Sequence, residues 1–304
     1  MTKVVVIGGG NSPEREVSLR SAAAVADAAQ LAGFDVMQID PQNGWQVLDQ
    51  VDVDSVVLPI LHGIGGEDGE VQTELEQRKL MYLGSGSKAS EVAFDKWQTK
   101  QLLNDNHILT PAGDFVTLNK YKTHIISKSP HVLKANRNGS SIGVYVVHDP
   151  KNIDQVKVNQ VFDFGEYAVL EELIEGTEIT VPVLGERALP VIEIIPPHDA
   201  EFDYENKYNG ETQELCPPKN VTHQLQKIAQ NIAEQVHKNL GCLHISRTDM
   251  IIDRNGKLFV LEINTMPGMT DQSLFPKSAA IAGFSFPELA KQFVAMASSE
   301  KRYT

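Results

Sequence analysis

Four residues near the C-terminal end have the types and spacing for chemistry on phosphate. The run ISRTDMIIDRNGKLFVLEIN at 245–264 carries Arg247 and Asp249 before Asn255-Gly256, and Glu262 and Asn264 after it. Asn-Gly between two alternating runs predicts a two-residue hairpin turn. That turn sets Asp249 directly opposite Glu262 and Arg247 directly opposite Asn264. Side chains two apart share a strand face, so all four converge on one patch. Met250, Ile252, Phe259, Leu261 and Ile263 then make the core face. A three-residue turn with a bulge would slip one strand by a residue, and the clean apolar face argues against it. Opposed carboxylates repel unless a proton, Arg247 or a cation intervenes. With an amide oxygen beside them they form a hard oxygen set suited to magnesium, phosphate oxygens completing the shell. Arg247 suits an oxyanion or a transferring phosphoryl group. A surface salt bridge on an edge hairpin is the plainer alternative. The shared ending of the polar set at Pro267-Gly268 favours the metal.

Two glycine-bearing stretches could meet phosphate. HVLKANRNGSSIGVYVV at 131–147 reads as strand, loop, strand, with Lys134 just before a loop of Gly139, Ser140, Ser141 and Gly143. Its N–H groups, hydroxyls and ammonium can wrap a triphosphate without a following helix. A solvent hairpin is the alternative, and the lysine tips the balance to phosphate. GGGNSP at 8–13 fails the dinucleotide fingerprint because Pro13 stands where the third glycine belongs. That stretch is either an anion site at a helix start or a plain strand–helix turn. The chain has no G-x-x-x-x-G-K-[ST].

These residues must be held by elements that the pattern also outlines. Residues 3–7 read as a buried strand, and Ser12-Pro13 opens an Ala-rich helix that stops at Gly33. Strands near 34–39 and 54–60, the loop HGIGGEDG, a helix near 70–79 and a strand at 80–83 continue a parallel α/β pattern. One helix is expected over about 88–106. Strands then follow near 114–118, 131–135, 143–148, 167–172 and 177–184, making a β-rich middle lobe. After strand 189–195 comes a polar loop at about 197–218, of a length that is more often functional than accidental. A helix at 222–240 places Leu225, Ile228, Ile232, Val236 and Leu240 on one face. The last helix opens at Ser285, with Glu288 in the capping-box position. Three units result: an N-terminal α/β domain over 1–95, a central lobe with a phosphate-lid loop over 96–182, and a C-terminal lobe with the hairpin over 183–304.

Bulk properties exclude several classes. The 304 residues are enough for two or three lobes. The net charge of −13, with no basic run, argues against nucleic acid. The two cysteines, Cys216 and Cys242, form no C-x-x-C pair. Neither a signal-type leader nor a membrane-length apolar run is present, so a cytoplasmic enzyme is expected.

The motifs together resemble the ATP-grasp ligases, and among them the D-alanine–D-alanine ligases. The resemblance rests on GGGNSPEREVS at 8–18, HGIGGEDGEVQ at 62–72, LKANRNGSSIGV at 133–144, RTDMIID at 247–253 and LEINTMPGMTDQSLFPKSA at 261–279. It implies three lobes, with ATP between the central and C-terminal ones, and two magnesium (or manganese) ions on Asp249, Glu262 and Asn264. Lys96 and Lys134 would hold phosphates beneath Ser140 and Ser141. Glu171 would meet the adenine, Glu172, Leu173 and Ile174 would line its slot, and Glu178 would bind the ribose. Glu14 would take the first D-alanine's amino group, closing the site with Ser140 and Tyr208. Val17, His62 and Lys207 would lie in the substrate site. Ser273 and Leu274 would receive the second substrate's carboxylate. Arg247 and the Gly268 N–H would stabilise a tetrahedral oxyanion. The resemblance also implies a homodimer and a part in peptidoglycan precursor synthesis. A ligase with another acceptor such as D-lactate, and a silent nucleotide-binding regulator, are the alternatives. The Lys207-Tyr208 pair favours the dipeptide, and the complete Arg247–Asp249–Glu262–Asn264 set weighs against the regulator.

Overall fold

The computed structural model describes residues 2–196 and 212–299. Lys207 and Tyr208 fall outside the described residues.

The first lobe is built on β1 (Lys3–Ile7), β2 (Asp35–Ile39), β3 (Val56–Pro59) and β4 (Met81–Tyr82), with α1 (Arg15–Leu31) and α2 (Glu70–Gln77). The strands form a parallel sheet in the order β2-β1-β3-β4. Val4, Val5, Val6 and Ile7 are all buried, as a strand covered on both faces requires. Helix α1 starts two residues later than its sequence signal suggested. Ser12 makes a turn instead, its hydroxyl accepting the Glu14 N–H at 3.2 Å and its carbonyl the Arg15 N–H at 3.1 Å. Glu14 is left at the N-cap with no side-chain cap bond, so its carboxylate is available elsewhere.

The helix expected over 88–106 is two helices, α3 (Ser87–Phe94) and α4 (Lys96–Asp105). Asp95 breaks them with extended backbone, and its carboxylate accepts the Gln98 N–H at 2.9 Å. Aspartate is a favoured N-cap, so the break starts α4 at Lys96. The central lobe holds β5 (Gly113–Thr117), α5 (Leu118–Thr123), β6 (His131–Ala135), β7 (Val144–Val147), α6 (Gln155–Phe162) and β8 (Tyr167–Glu172). Its antiparallel order is β5-β8-β6-β7. The sequence reading left out α5 and α6. Asp154 caps α6 at the Val156 N–H, and Val158 and Val161 bury its short apolar face with Leu133 and Leu170.

The third lobe contains β9 (Gly176–Leu184), β10 (Arg187–Ala188), β11 (Ile192–Ile195), β12 (Gln213–Leu215), α7 (His223–Asn239), β13 (Ile245–Asp253), β14 (Leu258–Asn264), α8 (Leu274–Ile281) and α9 (Phe286–Ser299). The sheet order is β12-β11-β9-β13-β14, with β10 on β9, so the strand at 177–184 expected in the middle lobe pairs instead with β13 in the third. Helix α7 is rolled relative to the expected face: Ala229 and Ala233 are buried with Val236 and Leu240, while Ile228 is exposed. The small alanines let the helix approach the sheet closely. Helix α9 opens with the expected capping box, Ser285 N–H donating to Glu288 at 2.8 Å. Although last in the chain, α9 packs on the first lobe. Leu289, Phe293 and Val294 share a core with Ala22, Val25 and Ala26 of α1 and Leu58 of β3.

Candidate active site

The hairpin delivers the four-residue patch by a different path from the one the turn signal implied. Arg247 pairs with Asn264 and Asp249 with Glu262, while nearer the turn Met250 pairs with Val260 and Ile252 with Leu258. The connection is a three-residue loop, closed by the Asp253 N–H on the Lys257 carbonyl at 2.9 Å, with Gly256 at φ +77°. A register shift between Asp249 and Met250 leaves Leu261 as the extra residue and cancels the longer turn. The core face is therefore Met250, Ile252, Leu258, Val260 and Ile263, all buried. Phe259 and Leu261, expected in the core, are only half-buried, and Leu261 turns to line the neighbouring cleft.

Asp249 is the hub of the patch. Arg247 donates to it twice, at 2.9 and 2.8 Å, Thr180 Oγ1 donates at 2.5 Å and Asn264 Nδ2 at 3.2 Å. Thr180 is aligned with Asp249 on β9. Burial opposes the Arg247 charge, but Asp249, with Glu262 and Glu67 behind it, outweighs burial and raises the guanidinium pKa. Asn264 spends its Nδ2 on Asp249, which leaves its oxygen as the atom that could meet a metal. Asp249, Glu262 and that oxygen form an all-oxygen set that fits magnesium or manganese. Among the described residues no group of three or more His, Cys, Asp or Glu could hold a metal. An ion here must complete its shell with substrate oxygens and water, as magnesium commonly does.

A cleft of about 320 Å³ runs beside the patch, between the central sheet and the third lobe. Asp249, Glu262, Ile251 and Leu261 line one wall, with Glu178 of β9. Val132, Lys134, Val144 and Ser141 line the other, and Glu171, Glu172, Leu173 and Ile174 close its end. Lys96, at the start of α4, also lines it, with Nζ 3.8 Å from Glu262 and donating to the Asn138 carbonyl at 2.5 Å. Glu171 is buried between two lysines, Lys134 at 2.6 Å and Lys100 at 2.8 Å. Burial pushes the Glu171 carboxyl upward, but Lys134 and Lys100 overcome it and hold the pKa below the ordinary range. Lys100 escaped the sequence reading. Its signal was there: it lies four residues after Lys96 on the same helix face.

The loop at 136–143 reaches over this wall toward the first lobe. Its base is tied to α4 by Asn136, which accepts the Lys96 N–H on its carbonyl at 3.1 Å and the Trp97 N–H on its side chain at 2.9 Å. Ser140 and Ser141 both have left-handed backbone, and the Ser140 hydroxyl donates to the Glu14 carboxylate. The backbone passes close on either side of that carboxylate: a Cβ at Gly63 or Gly139 would lie 2.5 or 2.8 Å from Glu14 Oε2, and Gly63 also has left-handed backbone at φ +70°. Glu67, also missed, is buried in a recess with Lys96, Glu262 and Asn264 and accepts the Gly63 N–H at 2.7 Å. Burial, with Glu14 nearby, pushes its carboxyl up to about 8. Its trace in the sequence is the acid inside HGIGGEDG.

The remaining expected residues are placed as follows. His62 is buried, and both ring nitrogens face chain atoms, the Met266 carbonyl and the Ser21 hydroxyl, each at 3.2 Å. Val17 is half-buried on α1. Ser273 is the N-cap of α8, Leu274 is its first residue, and the Ser273 hydroxyl accepts the Thr270 N–H at 3.0 Å. Gly268 precedes this helix, and its N–H has no acceptor among the described residues. The glycine turn at 8–10 is a plain strand–helix turn. Its N–H groups are spent on Ile39 O, Ser18 Oγ and Asp40 Oδ1 at 2.9–3.0 Å, so the glycines themselves offer an anion no donor.

Comparison with known proteins places this geometry. The family model described as D-ala D-ala ligase C-terminus matches residues 105–295. The D-alanine–D-alanine ligase of Azorhizobium caulinodans is 40% identical over 297 residues, 96% of each chain. That of Desulforudis audaxviator is 39% identical, covering 97% of this chain and 98% of its own. A Bacillus anthracis D-alanine–D-alanine ligase solved with ATP superposes with a TM-score of 0.83 at 28% identity, over 98% of both chains. The VanG D-Ala:D-Ser ligase of Enterococcus faecalis gives 0.83 at 26% identity, over 97% of this chain and 99% of its own. With likeness running through all three lobes and the cleft between them, the chain has the ATP-grasp fold and belongs to the D-alanine–D-alanine ligase family.

Proposed function

We propose that this chain joins two D-alanine molecules into D-alanyl-D-alanine, consuming ATP and releasing ADP and phosphate. The observation that carries the reading is the bond from Ser140, in the loop over the cleft, to Glu14 of the first lobe. Beside it lies a recess lined by Gly139 of that loop, Lys96, Glu67, Glu262 and Asn264. Glu14 would hold the first D-alanine's ammonium group. That substrate's carboxylate attacks the ATP γ-phosphorus, and Lys96 and Lys134 spread the growing negative charge. Magnesium, bound by Asp249, Glu262 and Asn264, would supply further neutralisation of the phosphate oxygens. The second D-alanine would rest its carboxylate at Ser273 and Leu274, on the start of α8; Val17 and Lys207 would also serve substrate binding. Its uncharged amine attacks the acyl carbon; Arg247 and the Gly268 N–H hold the oxyanion; phosphate leaves. Ser140, Ser141 and Tyr208 would keep water from the acyl phosphate. Glu171 to Ile174 would take the adenine and Glu178 the ribose.

A different acceptor is the second reading, favoured by the likeness to a D-Ala:D-Ser ligase over the whole chain. One assay separates them: ATP, magnesium and D-alanine, alone and with D-serine or D-lactate, followed by phosphate release and product mass. Dipeptide from D-alanine alone is expected. Product only with another acceptor would overturn the substrate, and no release with any acceptor would leave a nucleotide-binding protein. No described helix is long and apolar enough to cross a membrane. A homodimer, a cytoplasmic place and a role in peptidoglycan precursor supply rest on the family membership; sedimentation velocity reads the first directly.

A further inference from the structure

The Pro267-Gly268 turn is gripped at both ends by the first lobe. His62 follows β3, and Ser21 sits on the buried face of α1. His62 Nδ1 faces the Met266 carbonyl at 3.2 Å, and Nε2 faces the Ser21 hydroxyl at 3.2 Å. The Met269 N–H donates to that same hydroxyl at 3.3 Å. The protons in this chain of contacts can be assigned by chemistry. A carbonyl only accepts, so Nδ1 carries the hydrogen. Burial pushes the imidazole down to about 4, so the ring is neutral and Nε2 is bare. Bare nitrogen only accepts, so Ser21 donates to it and turns its lone pairs to Met269. Each contact then has one direction, with the Ser21 hydroxyl donating to His62 and accepting from Met269. All four residues are buried, so water does not compete for these bonds.

The two gripped groups belong to the peptide planes that flank the Pro267–Gly268 peptide. Proline has no N–H, so the turn itself presents a single donor, that of Gly268, which is unspent among the described residues. A side chain at 268 would bring a Cβ within 2.9 Å of Ser273 Oγ, so glycine lets the turn pass close to the start of α8. Fixing both neighbouring planes fixes where that donor points.

We infer that Ser21 and His62 are positioning residues of the ligation: from the first lobe they set the turn whose Gly268 N–H serves the second step, and neither binds substrate. The role in that step rests on the proposed function; the grip does not. Amide exchange read by mass spectrometry, without substrates, tests the grip. Ser21→Ala should speed exchange in the peptide 264–274 by about tenfold, as loss of one buried acceptor implies, and leave β9 unchanged. Kinetics test the role. Ser21→Ala should lower kcat by about tenfold while the KM for ATP moves by less than about twofold. His62→Asn keeps a donor at the Nδ1 position and should retain more kcat than His62→Leu, which removes both contacts. Unchanged exchange at 264–274 in Ser21→Ala overturns the grip. A raised KM for ATP with intact kcat, or equal kcat in the two His62 variants, overturns the positioning role. If Ser21→Ala does not fold, the exchange and kinetics of the His62 pair decide. If the wild-type chain makes no dipeptide, the proposed function fails while the exchange comparison still judges the grip.

Discussion

His237 gives a stability prediction whose size can be worked out from the structure. It lies in the last turn of α7, buried, with Nδ1 2.7 Å from the Ser246 hydroxyl of β13. Burial pushes its pKa from 6.5 down to about 4. Between those values the unfolded chain binds a proton that the folded one refuses, so stability rises with pH and is lost as pH falls. At pH 7.5 the contribution of this group is nearly complete. At pH 5.0 linkage puts the loss at about 2 kcal/mol, from 1.36 kcal/mol per pKa unit. Other groups titrate over the same range, so the quantity to measure is a difference between two proteins. His237→Asn keeps an amide at the Nδ1 position for the Ser246 hydroxyl and removes the titration. Urea unfolding of both proteins at pH 7.5 and 5.0 should show the wild type losing about 2 kcal/mol more than the variant on acidification. With a urea dependence of about 3 kcal/mol per M, that is a relative midpoint shift of about 0.7 M. A wild-type-to-variant gap that is the same at both pH values would refute the claim that burial keeps this imidazole neutral.

Three further outcomes are expected. Glu262→Gln should abolish phosphate release while leaving the circular dichroism and thermal midpoint near wild type, since Glu262 is half-buried and its removal opens no core. Lys100→Met leaves the buried Glu171 with Lys134 as its one cationic partner. It should cost about 3 kcal/mol of stability and weaken a non-hydrolysable ATP analogue about tenfold by calorimetry, because Lys134 is then held more tightly by Glu171; unchanged affinity would sink that coupling. Ser285→Ala removes half of the capping box of α9 and should cost about 1 kcal/mol in chemical unfolding.

What could be read in the sequence followed from short-range rules. The capping box at Ser285, the C-terminal glycine of α1 and the alternation around β13 and β14 all depend on neighbours a few residues apart. The hairpin shows both the reach and the weakness of such rules. The pairing of Asp249 with Glu262 was legible, yet it arises from a longer turn and a bulge that offset each other. Periodicity cannot see a bulge, so Leu261 was assigned to the core when it lines the cleft. The break at Asp95 was hidden because residues on both sides favour helix; only the aspartate–glutamine spacing marks the cap. Ile228 took the place of Ala229 on the predicted α7 face because hydrophobicity was weighed and closeness of approach was not. The Lys100–Glu171–Lys134 cluster joins a helix to two strands, and contacts of that kind leave no local pattern. At the glycine turn of 8–10 the Gly10 donor is taken by Asp40, thirty residues on, a partner no local pattern announces.

The seating of α9 on α1 and β3 has a bearing on how the chain is made. The alanine face of α1 is covered only when Leu289, Phe293 and Val294 arrive, and those residues are synthesised long after α1. Domains commonly fold in order as they leave the ribosome, the N-terminal one first. Here the first lobe to emerge must wait with an open apolar seam until residues 289–294 have been made. The central lobe, whose core draws only on residues from Val116 to Leu170, is complete well before it. Ribosome stalling near residue 285 would therefore leave a finished middle and an unfinished beginning, and the seam on α1 is where a nascent-chain chaperone would bind.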